Sequence, residues 1–214
     1  MRMPRIILAD DHTVFVEALC KLMAPHVEVV ATVGDGRALL QIAPTLKPDV
    51  VVVDVAMPLL NGLDAGRELK KSLPNVKLIF LTMNEDPDLA VEAMKSGASG
   101  YLLKTSAGSE LFSAIREALR GKTYVTPQIG RGMEESFIRD PRGAQRDKSL
   151  TPRQREVVQL LAEGKPMKVV ADILRITPRT VAFHKYRVMQ YLGLRTSAEL
   201  VQFAVKNRIT IQQI

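Results

Sequence analysis

The chain has 214 residues, 46% hydrophobic and 25% charged, with 30 Lys and Arg against 23 Asp and Glu for a net charge of +7. That length carries one large domain or two small ones in an ordinary globular composition, and a single cysteine, Cys20, excludes a disulfide framework and reads as a core thiol. No apolar run is long enough to span a bilayer, and "MRMPRIILADDH" turns acidic before a signal-peptide core forms, so a cytoplasmic protein without membrane contact is expected.

The first part alternates. "RIILA" (5–9) is β-like, "TVFVEALCKLM" (13–23) has helical spacing, "VEVVATV" (27–33) is β-like and "GRALLQIAPTL" (36–46) is helical. "DVVVVD" (49–54) predicts a strand buried on both faces. "LDAGRELKKSL" (63–73) predicts a helix, "VKLIFLT" (76–82) a strand, "PDLAVEAMKSG" (87–97) a helix, "GYLLK" (100–104) a short strand and "SELFSAIREALRG" (109–121) a helix stopped at Gly121. Five β units alternating with five α units imply a doubly wound, five-stranded parallel sheet covered on both faces.

The stretch from 126 to 149 is rich in Gly, Pro and charge and reads as a linker with a short helix near 133–138. Beyond it all periodicity is helical. Thr151-Pro152 opens one helix, with Gln154 placed to close a capping box, and Gly164 ends it. A second helix lies near 167–174. Thr177-Pro178 opens a third, and a fourth runs from about Thr196 to Asn207. The expected domains are therefore 1–125 and 149–214, joined by a linker over 126–148. Their charges differ: the first has 14 Lys and Arg against 15 Asp and Glu, the last 11 against 4. The whole basic excess sits in the helical third, the footprint of a polyanion-binding module.

Sites in doubly wound sheets form at the C-terminal ends of strands. Asp10 and Asp11 follow the first strand, Asp54 ends the third, Thr82 the fourth and Lys104 the fifth. Three converging carboxylates need a cation to stay ionised, and a hard, oxygen-preferring ion such as Mg²⁺ suits them. With a hydroxyl and an ammonium beside them, the set equips Asp54 as the nucleophile in phosphoryl transfer to a carboxylate, with Thr82 and Lys104 on the phosphoryl oxygens.

Through "ILADDH", "VVVDVAMPLLNGLDA", "LIFLTM" and "GASGYLLK", residues 3–121 resemble the receiver domain of two-component response regulators. The resemblance implies a CheY-like fold with strand order 2-1-3-4-5 and Asp54 as phosphoacceptor. It implies Mg²⁺ held by Asp10, Asp11, Asp54 and the backbone carbonyl of Ala56, phosphoryl contacts from Thr82 and Lys104, and a switch pairing Thr82 with Tyr101. It further implies a receiver that catalyses its own phosphorylation and dephosphorylation and is otherwise no enzyme. Thr105 stands where the family often has proline.

Residues 150–205 resemble the LuxR-type helix-turn-helix domain, and the whole chain a NarL/FixJ-type response regulator. In the third helix of this part, Val181, His184, Val188 and Leu192 recur at core spacing. The opposite side carries Arg179, Ala182, Phe183, Tyr186, Arg187 and Gln190, a face for the major groove. Lys168, Arg179, Thr180, Ala182, Phe183, Lys185, Tyr186 and Arg187 are the candidate DNA contacts. Ala182 replaces a frequent lysine, Arg175 stands where a turn glycine is usual, and Pro166-Met167 replaces a capping pair. In the family the fourth helix pairs two DNA-binding domains, which here points to Ala198, Val201, Gln202 and Val205.

The resemblance thus implies a phosphorylation-regulated transcription regulator with a sensor histidine kinase as donor, double-stranded DNA as target and a homodimer as the phosphorylated form. The alternative is a phosphate-independent DNA- or protein-binding regulator with weak base readout. An aspartyl-phosphate hydrolase is disfavoured, because Ala56 stands where such enzymes place a second acid.

Overall fold

The structure, a computed structural model, describes residues 2–83, 85, 87–139, 150–207 and 209–210, with the side chains of 88 and 134–139 left out. It divides into two units, Met1–Arg146 and Asp147–Ile214.

The four valines explain the first unit. Along a strand, side chains alternate between faces, so a strand covered on both sides is apolar at every position. In β3 (Val50–Asp54), Val51 and Val53 join one buried cluster, and Val50 and Val52 the other. β1 (Arg5–Ala9), β4 (Lys77–Thr82) and β5 (Gly100–Leu103) repeat this burial, β2 (Glu28–Val33) at the edge is only partly buried, and all are parallel. α1 (Thr13–Met23) and α5 (Ala107–Leu119) cover one face. α2 (Gly36–Leu46), α3 (Gly62–Ser72) and α4 (Pro87–Lys95) cover the other. Cys20 lies half-buried at the edge of the α1–α5 cluster, and its thiol pKa is raised by burial and by Glu17.

The five strands run in the expected order, and the sheet then continues. A sixth strand, β6 (Tyr124–Val125), pairs in parallel with β5 and gives the order β2-β1-β3-β4-β5-β6. It leads into α6 (Pro127–Arg139), which packs along α4 and buries Ile129 in the same cluster as Tyr101. The stretch read as a linker from 126 thus begins with a helix of the first unit, α6, which starts earlier and runs longer than the short helix expected near 133–138. Two residues of strand are too short for alternation to register. The apolar positions Ile129 and Met133 are diluted by Gly130 and Gly132, of which Gly132 lies close to the neighbouring helix: a Cβ there would fall 2.6 Å from Pro87 Cγ. The second half of the expected linker lies outside the described residues.

The second unit is the expected four-helix body: α7 (Pro152–Ala162), α8 (Met167–Leu174), α9 (Pro178–Leu192) and α10 (Ser197–Lys206). Thr151 and Gln154 complete the capping box, and Thr177 caps α9 by accepting from Thr180 N. Arg175, after α8, takes φ 52° and ψ 48°, the left-handed conformation that glycine adopts without strain.

Candidate functional sites

Two aspartates are held alike at the C-terminal edge of the sheet. Asp54 Oδ1 accepts from the amide of Ala56 at 3.1 Å, and Asp10 Oδ1 from the amide of His12 at 2.9 Å. Each bond to the backbone two residues on fixes one oxygen and turns the other inward. Lys104 reaches both inward atoms: its Nζ lies 2.8 Å from Asp54 Oδ2 and 2.8 Å from Asp10 Oδ2. All three side chains are buried, with relative exposures of 6% for Lys104, 2% for Asp54 and 4% for Asp10. Burial holds the Asp54 carboxyl above its ordinary pKa, against the pull of Lys104 and with the push of Asp10.

The loop after β3 is shaped by this close quarter. Gly62 returns so tightly that a Cβ there would stand 2.0 Å from the Asp54 carbonyl oxygen, while its amide bonds Val55 O at 3.0 Å. Leu59 takes φ 65° to make the reversal. Asn61 caps α3 by accepting from Asp64 N at 2.9 Å.

Asp10, Asp11, His12 and Asp54 bring ligand atoms within 4.8 Å of one another, the group among the described residues that could hold a metal ion. Sequence reasoning missed His12. Its Nδ1 lies 3.0 Å from Asp10 Oδ1 and 3.0 Å from Asp11 Oδ1. The one available signal was its place directly after the aspartate pair. Three hard carboxylates in an enclosed edge fit a divalent, oxygen-preferring cation.

Thr82 and Tyr101 stand on adjacent strands on the sheet face covered by α4 and α6. Phe80 pairs with Tyr101, and Thr82 with Leu103. Tyr101 is fully buried, and this burial raises its pKa, partly offset by the nearby Thr82 side chain; its hydroxyl is enclosed without a hydrogen-bond partner among the described residues. Thr105, the departure from the family pattern, is exposed in a 3-10 turn, Lys104–Ser106, that leads into α5.

In the second unit, Val181 and Val188 are buried, and His184 is half-buried with its Nδ1 enclosed and unbonded. Its pKa is lowered by burial, then by Arg153 and Arg187. The outer face of α9 carries Arg179, Phe183, Tyr186 and Arg187, all exposed, with Ala182 half-buried among them and Thr180 in the capping turn. Phe183 is 56% and Tyr186 60% exposed. The Arg187 guanidinium lies 5.7 Å from the Phe183 ring centre. Lys185 Nζ lies 5.6 Å from that of Tyr186 and bonds Ser197 Oγ at 2.8 Å, so this lysine also ties α9 to α10. Lys168 is exposed on α8. On α10, Leu200 and Ala204 enter the core, while Ala198 and Gln202 are exposed and Val201 and Val205 half-buried, so the expected pairing stripe flanks the packed side.

The comparisons match this two-part layout. Residues 6–116 match the response regulator receiver domain, and 148–204 the luxR family of bacterial regulatory proteins. The chain belongs to the response regulators of the NarL/FixJ type.

It is 32% identical to the oxygen regulatory protein NreC of Staphylococcus carnosus over 214 residues, covering 96% of this chain and 98% of that one. The NreC of Staphylococcus epidermidis is 33% identical with the same coverage. The RcsB response regulator of Salmonella typhimurium superposes with a TM-score of 0.66 at 25% identity, covering 99% of this chain and 100% of that one. RcsB from Salmonella enterica serovar Typhimurium, bound to promoter P1flhDC in the presence of the phosphomimetic BeF3-, gives 0.60 at 26% identity, covering 94% and 98%. This response regulator is a phosphorylation-regulated DNA-binding transcription regulator of a two-component system.

Proposed function

We propose that Asp54 is the phosphoacceptor of this regulator, and that the carrying observation is the shared grip of Lys104 on Asp54 and Asp10. The Asp54 carboxylate attacks the phosphorus of a phosphodonor, a sensor histidine kinase in its two-component system. The bond to the donor's leaving atom breaks as the acyl phosphate forms. Lys104 then faces the phosphoryl oxygens and offsets their charge, and the Thr82 hydroxyl donates to one of them. Asp10, Asp11, Asp54 and the carbonyl of Ala56 would hold Mg²⁺, which supplies charge neutralisation for the transferring group when bound.

Taking up that hydrogen bond moves Thr82 beside Tyr101, whose enclosed hydroxyl has no hydrogen-bond partner among the described residues to hold it in place, and this shifts the balance between two packings of the α4 face. Phosphorylation promotes dimerisation through Ala198, Val201, Gln202 and Val205, and the paired domains meet two half-sites about one helical turn apart. Residues 1–125 are the receiver, 126–148 the connection, and 149–214 the DNA-binding domain. Lys168, Arg179, Lys185 and Arg187 contact phosphates, while Thr180, Ala182, Phe183 and Tyr186 lie toward the bases. The protein acts in the cytoplasm, where both donor and DNA lie.

Intact-mass spectrometry after incubation with Mg²⁺ and phosphoramidate tests the acceptor. Wild type gains one phosphoryl group and Asp54→Ala none, and the modified form shifts promoter DNA at lower concentration. DNA binding of Asp54→Ala at the strength of phosphorylated wild type would favour the phosphate-independent alternative, to which the exposed Phe183 and Tyr186 lend support.

A further inference from the structure

The β6–α6 unit lies between the two family matches, which end at 116 and resume at 148. Its first helical turn is rooted in the residues that flank Lys104. Thr126, 4% exposed, makes six bonds, one of them between its hydroxyl and Ser106 Oγ at 3.4 Å. Its amide donates to Tyr101 O at 3.0 Å. Its hydroxyl accepts from Leu103 N at 3.2 Å and donates to Glu110 Oε2 at 2.7 Å. Its carbonyl accepts from Ile129 N and Gly130 N, both at 3.0 Å, closing the first turn of α6.

One side chain thus bonds the residue before Lys104 and an acid on α5, while the same residue's backbone bonds the proposed switch tyrosine and starts α6. Beyond it, Ile129 is fully buried in the cluster that holds Tyr101, Leu89, Ala90 and Ala93, and Gly132 lets α6 close on Pro87. A buried hydroxyl on a charged acceptor fixes its neighbours more tightly than an apolar contact, because slipping leaves both groups unpaired in a poorly solvated site.

We propose that Thr126 is a positioning residue that couples the end of β5, with Lys104 and Tyr101, to α6, so that the state of the phosphoryl site sets the packing of the helix that begins the inter-domain segment. The inference rests on the switch reading above and deepens it. A movement of β5 reaches Thr126 through two bonds, Thr126 N to Tyr101 O and Leu103 N to the Thr126 hydroxyl, and leaves it through the two bonds that start α6. The chain between the domains is thereby connected to the site at its first residue rather than hanging free from β6.

Amide hydrogen exchange on the full chain tests this, with and without phosphorylation from phosphoramidate and Mg²⁺, the acyl phosphate being counted by intact mass. In wild type, exchange changes both in 100–104 and in 127–139, by at least about threefold in the latter. Thr126→Val keeps the shape and removes the hydroxyl: 100–104 still responds and 127–139 no longer follows. Thr126→Ser restores both. Should Thr126→Val fail to fold, Glu110→Ala, at a half-buried position, removes the hydroxyl's acceptor and serves instead. A response of 127–139 in Thr126→Val or Glu110→Ala equal to wild type overturns the proposal. So does a wild type in which 100–104 responds and 127–139 does not. Full phosphorylation with no response at 100–104 marks the switch reading itself as wrong, and the coupling falls with it.

Discussion

The ammonium of Lys104 stands 2.8 Å from Asp54 Oδ2 in a place closed to solvent, and holds Asp10 at the same distance. This single cation keeps two buried carboxylates from facing each other bare. Lys104→Met therefore lowers stability by about 3 kcal/mol, as expected when one partner of a buried ionic group is removed. Urea unfolding in the absence of Mg²⁺ measures it, and a loss under 1 kcal/mol would mean water already serves the pair.

Asp54 shows the opposite sign. Because burial raises its pKa, its ionised form opposes folding above that value, and the penalty fades as pH falls and the folded state takes the proton first. Asp54→Asn melts at a higher temperature than wild type at pH 7.5, and the difference narrows as pH falls toward the ordinary aspartate range. Thermal melts across that span, without divalent ions, check both statements. Equal melting temperatures at pH 7.5 contradict the strain.

The loop behind the acceptor tolerates no side chain at residue 62. Gly62→Ala drives a methyl against the Asp54 carbonyl at 2.0 Å, and relief must come from moving the backbone that aims the carboxylate. The expected cost is about 3 kcal/mol, with slowed phosphoryl uptake. Melting and the rate of mass gain with phosphoramidate measure the two effects.

In the second unit, Arg175 occupies a left-handed position at φ 52°. Arg175→Gly stabilises by about 1 kcal/mol, since the relief of Cβ strain exceeds glycine's extra entropy loss. Its backbone bonds, Arg175 N to Asp172 O and Ile176 N to Ala171 O, stay as they are. Chemical denaturation gives the difference, and destabilisation contradicts the account.

His184 introduces a pH dependence. Its pKa is lowered by burial and two arginines, so the unfolded chain binds the proton more readily than the folded one. Stability of the unit is then full above the ordinary histidine range and falls as pH drops below about 6.5. His184→Gln flattens that slope, which exchange protection of α9 at pH 7.5 and 5.5 detects.

If the outer face of α9 reads bases as proposed, the apolar Phe183 and Ala182 would meet thymine methyls rather than guanine edges. Sites selected from random DNA by wild type are expected to lose about 0.8 kcal/mol, roughly fourfold in affinity, per contacted thymine replaced by uracil. Phe183→Ala loses that sensitivity. Lys168→Ala instead lowers the slope of log affinity against log salt by about 1 with no change in preferred sequence.

Much of this protein was legible in the chain because it is local. Alternation over 50–53 required a strand covered on both faces, since each valine had to find a buried side. Thr151, Pro152 and Gln154 marked a helix start because capping is settled within one turn. The positions of Asp10, Asp54 and Lys104 at strand ends followed from those strands, and the basic excess of 149–214 from counting. The tertiary structure decided what depends on non-local placement. It brought Lys104 onto two aspartates from different strands and added His12 to the acidic group. It sank Tyr101 wholly beneath α4 and α6, and turned Leu200 and Ala204, rather than the stripe through Ala198 and Val205, into the core. It also added a sixth strand at the end of the first domain and made the opening of an apparent linker into the helix that follows it. Two strand residues and a glycine-diluted helix carry almost no periodic signal, and their stability comes from the edge of β5 and the flank of α4 that they cover.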